Sequence, residues 1–216
     1  MQEEKNIHEI EPYDFEIIPL LKEAFSRTYG VKWNFMGALL VYAIIALITG
    51  TLLELIFPKD ATEYNEAISS FLAVPITLPI MIGITMLGIK QARDEILDIP
   101  SVLNYFPFLF SILLAYFAMT ILLFIGFLLL ILPGIYLAIS YSFTYTLIVD
   151  KGLGVWEAME LSRKTVTKRW FKFFGLALLA GLIIIISVIP FGLGLIWTLP
   201  MIYISYGLLY HHLFDE

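Results

Sequence analysis

Residues 127–150 read FLLLILPGIYLAISYSFTYTLIVD, with no charged side chain before Asp150. A helix needs about 20 apolar residues to cross a bilayer, so this run is long enough to span one. It contains Leu132-Pro133-Gly134-Ile135-Tyr136, and a Leu-Pro pair recurs at Leu78-Pro79 and Leu199-Pro200. That recurrence organises the reading of the rest of the chain.

The composition agrees with a membrane location. Of 216 residues, 60% are hydrophobic and 15% charged, and the mean hydropathy is +0.87. Soluble domains carry about a quarter charged residues. A globule of this size cannot bury so much apolar surface, so lipid must solvate the remainder, and helices are the economical way to satisfy the backbone there. The expected class is all-α, a polytopic integral membrane bundle. The net charge of −6 carries little topological information, because Lys and Arg set orientation and Asp and Glu contribute little. Cysteine is absent, which excludes disulfides and thiolate metal sites. The opening MQEEKNIHEIEPYDFE lacks a basic segment followed by an apolar core, so no cleavable signal peptide is expected.

Residues 1–13 read as a polar tail and 14–216 as one membrane domain. From Asp14 to Tyr29 the pattern is amphipathic, with Ile18, Leu21, Phe25 and Tyr29 on one face, and Glu23 and Arg27 are spaced as a helix-stabilising pair. An interfacial helix fits this stretch. Spans are expected at Trp33–Phe57 and Phe71–Ile89. The apolar run from Tyr105 to Val149 must contain a turn. Gly126 divides it evenly, whereas Pro133-Gly134 leaves the following span near the lower limit of about 17 residues. Residues 154–169 are again amphipathic and basic, with Glu160 and Lys164 four apart. The last two spans are expected at Trp170–Pro190 and Gly194–Leu213.

The basic residues constrain this six-span map. Twelve of thirteen (all but Lys59) fall in the N-terminal region, the second loop or the fourth loop, which six spans place on one side. The positive-inside rule then makes both termini cytoplasmic in a plasma-membrane protein.

Self-similarity suggests three parallel units, approximately 14–95, 96–150 and 151–216. Thr77-Leu78-Pro79-Ile80-Met81 matches Thr198-Leu199-Pro200-Met201-Ile202, and at the same offset Asp94-Glu95 matches Asp215-Glu216. Phe25-Ser26-Arg27, then Trp33 and Gly37, correspond to Leu161-Ser162-Arg163, then Trp170 and Gly175, while the middle unit keeps a shortened version near Ile96–Asn104. The expected unit is an interfacial helix followed by a hairpin whose second span carries a proline. Pro79, Pro133 and Pro200 would each remove a backbone hydrogen bond, bend a helix and together frame a cavity.

Leu132-Pro133-Gly134-Ile135-Tyr136-Leu137, the acid–glycine loop after Val149, Glu157-Ala158, Leu161-Ser162-Arg163, Trp170 and Gly175 together resemble the membrane domain attached to some bacterial glycerophosphodiester phosphodiesterases and its stand-alone relatives. The likeness is clearest over residues 126–213. It implies a six-helix membrane domain and no catalytic residues, because the phosphodiesterase chemistry of that family sits in a separate soluble barrel.

Several residues are candidates for function. Glu54 is the only acid within an expected span, although it lies four residues before Pro58 at headgroup depth. Ser140 and Thr144 belong to the most polar stretch of any span, and either line a hydrated path or bond helices together, the commoner use. Arg163, Lys164, Lys168, Arg169 and Lys172 form a basic cluster beside the membrane, suited to anionic headgroups rather than nucleic acid. His211-His212 reads as a solvated pair, since adjacent helical residues diverge and metal ligands must converge. No HExxH, GxSxG, phosphate loop or pair of intramembrane acids occurs. No enzyme and no cofactor is therefore expected. Two roles remain: a bundle that passes a small solute or lipid, or a non-catalytic scaffold or subunit that contacts anionic lipid, another protein or its own copy through the basic helix.

Overall fold

The computed structural model describes residues 13–58 and 64–215. Expectations resting on Lys5, His8, Lys59 or Glu216 lie outside the described residues. Among the described residues the regular structure is entirely helical: α1 Ile17–Ser26, α2 Lys32–Ile56, α3 Asn65–Ala92, 3-10 turns at Ile99–Leu103 and Phe106–Phe108, α4 Leu109–Leu129, α5 Ile131–Ser140, α6 Thr144–Lys151, α7 Val155–Thr167, α8 Trp170–Val188 and α9 Leu195–Phe214.

Five stretches are long and apolar enough to cross a membrane: Lys32–Ile56, Asn65–Ala92, Ile99–Leu129, Ile131–Lys151 and Trp170–Val188. The sixth expected span, α9, is not among them. It is 20 residues long, but Thr198, Ser205, four aromatic side chains with polar atoms and His211-His212 dilute its apolar character. Its neighbours α1, α2, α3 and α8 cover it. Burial in protein relaxes the demand for an apolar surface that lipid would impose.

The first hairpin is longer than its apolar residues suggest. α3 starts at Asn65 rather than Phe71, with Glu66 in its first turn, where a carboxylate complements the helix dipole. The turn between the third and fourth spans uses neither expected position. It falls at Leu130, the single extended residue between α4 and α5. Gly126 and Gly134 instead face one another across this hairpin, and a Cβ on Gly126 would lie 3.1 Å from the Gly134 Cα.

Pro79 and Pro200 are buried inside α3 and α9 as expected, joined by Pro75 in α3. Pro133 differs. It occupies the first turn of α5, where a backbone N–H has no intrahelical acceptor to lose. The fourth span is interrupted further along, at Tyr141–Phe143.

α1 also differs from its expected face. Leu21, Ala24 and Thr28 turn inward, whereas Ile18, Phe25 and Tyr29 stay exposed. The inward stripe is set by packing against α9 and shares only Leu21 with the predicted one. A 3-10 turn at Ile99–Leu103 stands where a shortened helix was expected near Ile96–Asn104, with Ser101 and Val102 buried.

Two apolar clusters make the core. One joins Ile82, Met86 and Ile89 of α3 to Phe143, Leu147, Val166, Phe173, Leu209 and Tyr210. The other joins Leu21, Phe35, Ile80, Ile84 and Leu87 to Met201 and Ile204. α3 and α9 contribute to both and form the wall between them. Glycines let their backbones meet. A Cβ on Gly88 would strike the Tyr203 carbonyl, and one on Gly207 would strike the Gly88 carbonyl.

One contact does not fit six upright spans. The Lys32 ammonium lies 4.5 Å from the ring centroid of Trp197, which is in the first turn of α9. The six-span plan puts Lys32 and that turn at opposite faces of the membrane.

The glycine packing is testable. Overpacking costs about 1–3 kcal/mol when neighbours cannot retreat, and here the obstacle is backbone. Gly88→Ala is expected to lower the melting temperature in detergent. Gly50→Ala, where nothing lies within 4 Å of the added Cβ, is expected to leave it unchanged or raise it.

Candidate functional site

Three helices finish close together, and their ends carry the charges that lock them. Arg93 caps α3, Asp150 lies in the last turn of α6, and Asp215 caps α9. Arg93 donates from Nη1 and Nη2 to the two oxygens of Asp150 at 2.8 and 2.7 Å. It also donates from Nε and Nη2 to Asp215 at 2.8 and 2.9 Å. Planar guanidinium geometry is what allows two carboxylates to be gripped at once.

The remaining valences are filled from the same helices. Tyr210 donates its hydroxyl to Asp150 at 2.9 Å, Lys151 pairs with Asp215 at 2.5 Å, and His211 Nδ1 lies 2.9 Å from Asp215. All four carboxylate oxygens are occupied, and two cations balance two anions. Each carboxylate oxygen accepts at least one of these bonds, so the cluster ties the three helix ends together. His211 is thus held by the cluster rather than simply solvated.

The electrostatics follow this geometry. Hydrogen bonds to Asp150 and then Asp215 hold the Arg93 guanidinium more firmly protonated than usual. Burial alone would raise the Asp215 carboxyl, but the bonds from Arg93, Lys151 and His211 outweigh it and place the group well below the usual carboxylate range.

Beneath the charges lies an aromatic nest. The Phe143 ring is 4.8 Å from Tyr206, 5.5 Å from Phe214, 5.9 Å from Phe173 and 6.1 Å from Tyr210. Phe143 sits at the break between α5 and α6, where backbone groups need outside partners. Ser162 of α7 supplies them: it accepts from the Phe143 N–H at 3.1 Å and donates to the Ser140 carbonyl at 2.7 Å. Tyr206 of α9 donates to the Ser142 carbonyl at 3.0 Å and lies 2.7 Å from the Thr146 hydroxyl.

Ser140 and Thr144 flank this break and are fully buried. Among the described residues their own hydroxyls, like that of Thr165, make no hydrogen bond of standard geometry. They line neither the cavity between α2 and α3 nor the shallow one beside Phe15 and Lys172. The larger of these, about 390 Å³, lies between α2 and the start of α3, and Glu54, Thr51, Glu66, Ser69 and Ser70 contribute to its lining. Pro79, Pro133 and Pro200 border neither cavity.

The basic cluster is partly neutralised from within. Glu160 accepts two bonds from Arg163 at 2.8 and 2.9 Å and lies 3.4 Å from Lys164. The bond from Arg163 lowers the Glu160 carboxyl pKa. Arg169 and Lys172 turn towards the N-terminal segment, where Asp14 pairs with them at 3.3 and 2.5 Å. Tyr13 completes this strap by donating to the Thr165 carbonyl at 2.7 Å. Lys164 and Trp156 are exposed on the outer face of α7, and Lys168, the residue that follows the helix, is exposed as well. Sequence reading selected the basic residues but missed Arg93, Tyr210 and Ser162. The usable signals were Asp150 closing an uncharged run and the match of Asp215 to Asp94 in the amino-acid order.

No family model, curated protein or solved structure matches this chain.

Two measurements check the site. Ser162→Ala strands the Phe143 N–H and the Ser140 carbonyl inside the bundle, and is expected to cost about 1–3 kcal/mol in detergent unfolding. The folded pKa of Asp215 lies below its unfolded value of about 3.9. Its contribution is therefore complete above about pH 5 and is lost as pH falls through and below about 4. Thermal stability of the native chain should hold from neutral pH to about 5 and then fall. Asp215→Asn should be less stable at neutral pH and lose less on acidification.

Proposed function

We propose that the protein is a non-catalytic membrane scaffold or partner subunit, with both chain ends on the cytoplasmic face. Its contact surface there is the outer side of α7. The observation that carries this reading is the use of interior polar groups. Ser162, Tyr206, Thr146 and Tyr210 stitch helices together, and the charged cluster is fully self-paired. Such an interior favours a fixed shape over a path. Trp156 and Lys164, exposed along α7, and Lys168 just past its end suit an anionic lipid surface, where each cation contributes about 1 kcal/mol and tryptophan prefers the interface. The resemblance to a phosphodiesterase membrane domain adds support, because there the membrane portion accompanies a soluble catalytic partner.

The transport reading keeps one supporting observation, the acid-lined cavity at Glu54 and Glu66. Glu54→Gln should reduce cation flux in liposomes if that cavity belongs to a conduction path, and leave it unchanged if the scaffold reading holds.

The scaffold reading is tested by native mass spectrometry of the protein with phosphatidylglycerol or phosphatidylcholine. Preferential retention of phosphatidylglycerol, reduced severalfold in Lys164→Glu/Lys168→Glu, is expected. Equal retention of both lipids would refute the lipid-contact surface.

A further inference from the structure

The three hairpin turns are chemically unlike. Between Phe57 and Glu66 the first carries Lys59, Asp60, Glu63 and Asn65, a segment made for water. Between Thr120 and Tyr136, across the α4–α5 turn, no side chain carries a polar atom, and Leu128 to Leu132 are all exposed. Between Ser187 and Thr198, across the α8–α9 turn, Trp197 alone has one, and Phe191 is fully exposed.

The backbone tells the same story. In the α8–α9 turn the N–H groups of Ile189, Phe191, Gly192, Leu193 and Leu195 donate to the carbonyls of Ile186, Ile189, Val188, Pro190 and Gly192 at 2.9–3.2 Å. Pro190 has no N–H to satisfy. The flanking hydroxyls of Ser187 and Thr198 bond to each other at 2.6 Å. At the α4–α5 turn Leu130 donates to the Gly126 carbonyl at 3.1 Å. Pro133 removes one of the donors that a helix start otherwise leaves unpaired. In the α8–α9 turn most N–H groups are thus paired within the turn, and at the α4–α5 turn one bond and one proline reduce the number of unpaired donors, as hydrocarbon favours and water does not require.

Length separates the hairpins as well. At 1.5 Å per residue, α2 with 25 residues and α3 with 28 reach about 37 and 42 Å. α4 with 21 and α8 with 19 reach only about 31 and 28 Å, close to the roughly 30 Å hydrocarbon core. The Lys32 ammonium over Trp197 also argues against an α8–α9 turn standing in the far aqueous phase.

We infer that the α4–α5 and α8–α9 turns are lipid-embedded, ending among acyl chains short of the far aqueous phase, and that of the three hairpins only α2–α3 carries the chain into the water beyond. The occupant of these apolar tips is acyl chain. A second copy of the protein would leave the tips dry but out of contact with lipid.

Because the chain has no cysteine, Leu130→Cys, Phe191→Cys and Tyr64→Cys each introduce a sole thiol at an exposed position. Proteoliposomes carrying a membrane-impermeant maleimide on both sides report access, and bimane on the same thiols reports quenching by acyl-chain spin-labelled lipid. A thiol in apolar surroundings forms little thiolate, so Leu130→Cys and Phe191→Cys should react at least about tenfold more slowly than Tyr64→Cys. All three should react alike in denaturant, and the two tip positions should be strongly quenched. Labelling of either tip at the Tyr64→Cys rate overturns the inference. So does an unquenched tip that cross-links to its counterpart in a second copy.

Discussion

The Arg93 guanidinium is the group on which the arrangement depends. It joins the ends of α3, α6 and α9, one helix from each hairpin, through Asp150 and Asp215. Removing one partner from a largely buried ion pair is costly, about 3–5 kcal/mol, because the charge left behind has lost its water. A net value for the whole cluster is smaller, since burying it also carries a desolvation cost. Its contribution is to choose one register among several that apolar helices in lipid could adopt. Apolar side chains facing acyl chains distinguish those registers poorly.

Packing and hydrogen bonding extend that choice outward. Gly88 and Gly207 bring α3 and α9 into backbone contact on the same side of the charges as the aromatic nest, and Pro79 and Pro200 are buried in the same pair. Phe143 is held under the charges by aromatic rings from α8 and α9. The break that frees Phe143 from regular helix is closed by Ser162. The chain thus places many of its interior polar groups at helix ends and interruptions, while the α8–α9 turn pairs most of its own N–H groups.

Much of this was legible in the amino-acid order, for physical reasons. Lipid imposes long uncharged runs, so helix existence and most boundaries could be read directly, as at Trp33, Trp170 and Gly194. The turn at Leu130 could not. Gly126 and Pro133-Gly134 carry turn chemistry, but here they serve close packing and a helix start, and propensity does not reveal which use prevails. The fourth span breaks at Tyr141–Phe143 because Ser162 and Tyr206 can satisfy the freed groups, and both are distant in sequence. α1 shows the same limit: its periodicity marked Ile18, Phe25 and Tyr29, while α9 selected Leu21, Ala24 and Thr28. Of the candidate residues, Ser140 and Thr144 proved to flank an interior stitch, and Arg169 and Lys172 to hold the N-terminal segment. Arg93 went unmarked because its two acids converge on it only in three dimensions.

The most direct test of the clamp is a pair of double-mutant cycles in reversible detergent unfolding, Arg93→Met with Asp150→Asn and Arg93→Met with Asp215→Asn. Contacting charged groups couple by about 0.5–3 kcal/mol, and a shared guanidinium predicts favourable coupling above about 1 kcal/mol in both cycles. Additive single-mutant effects in both cycles would contradict the claim that Arg93 locks the three helices together.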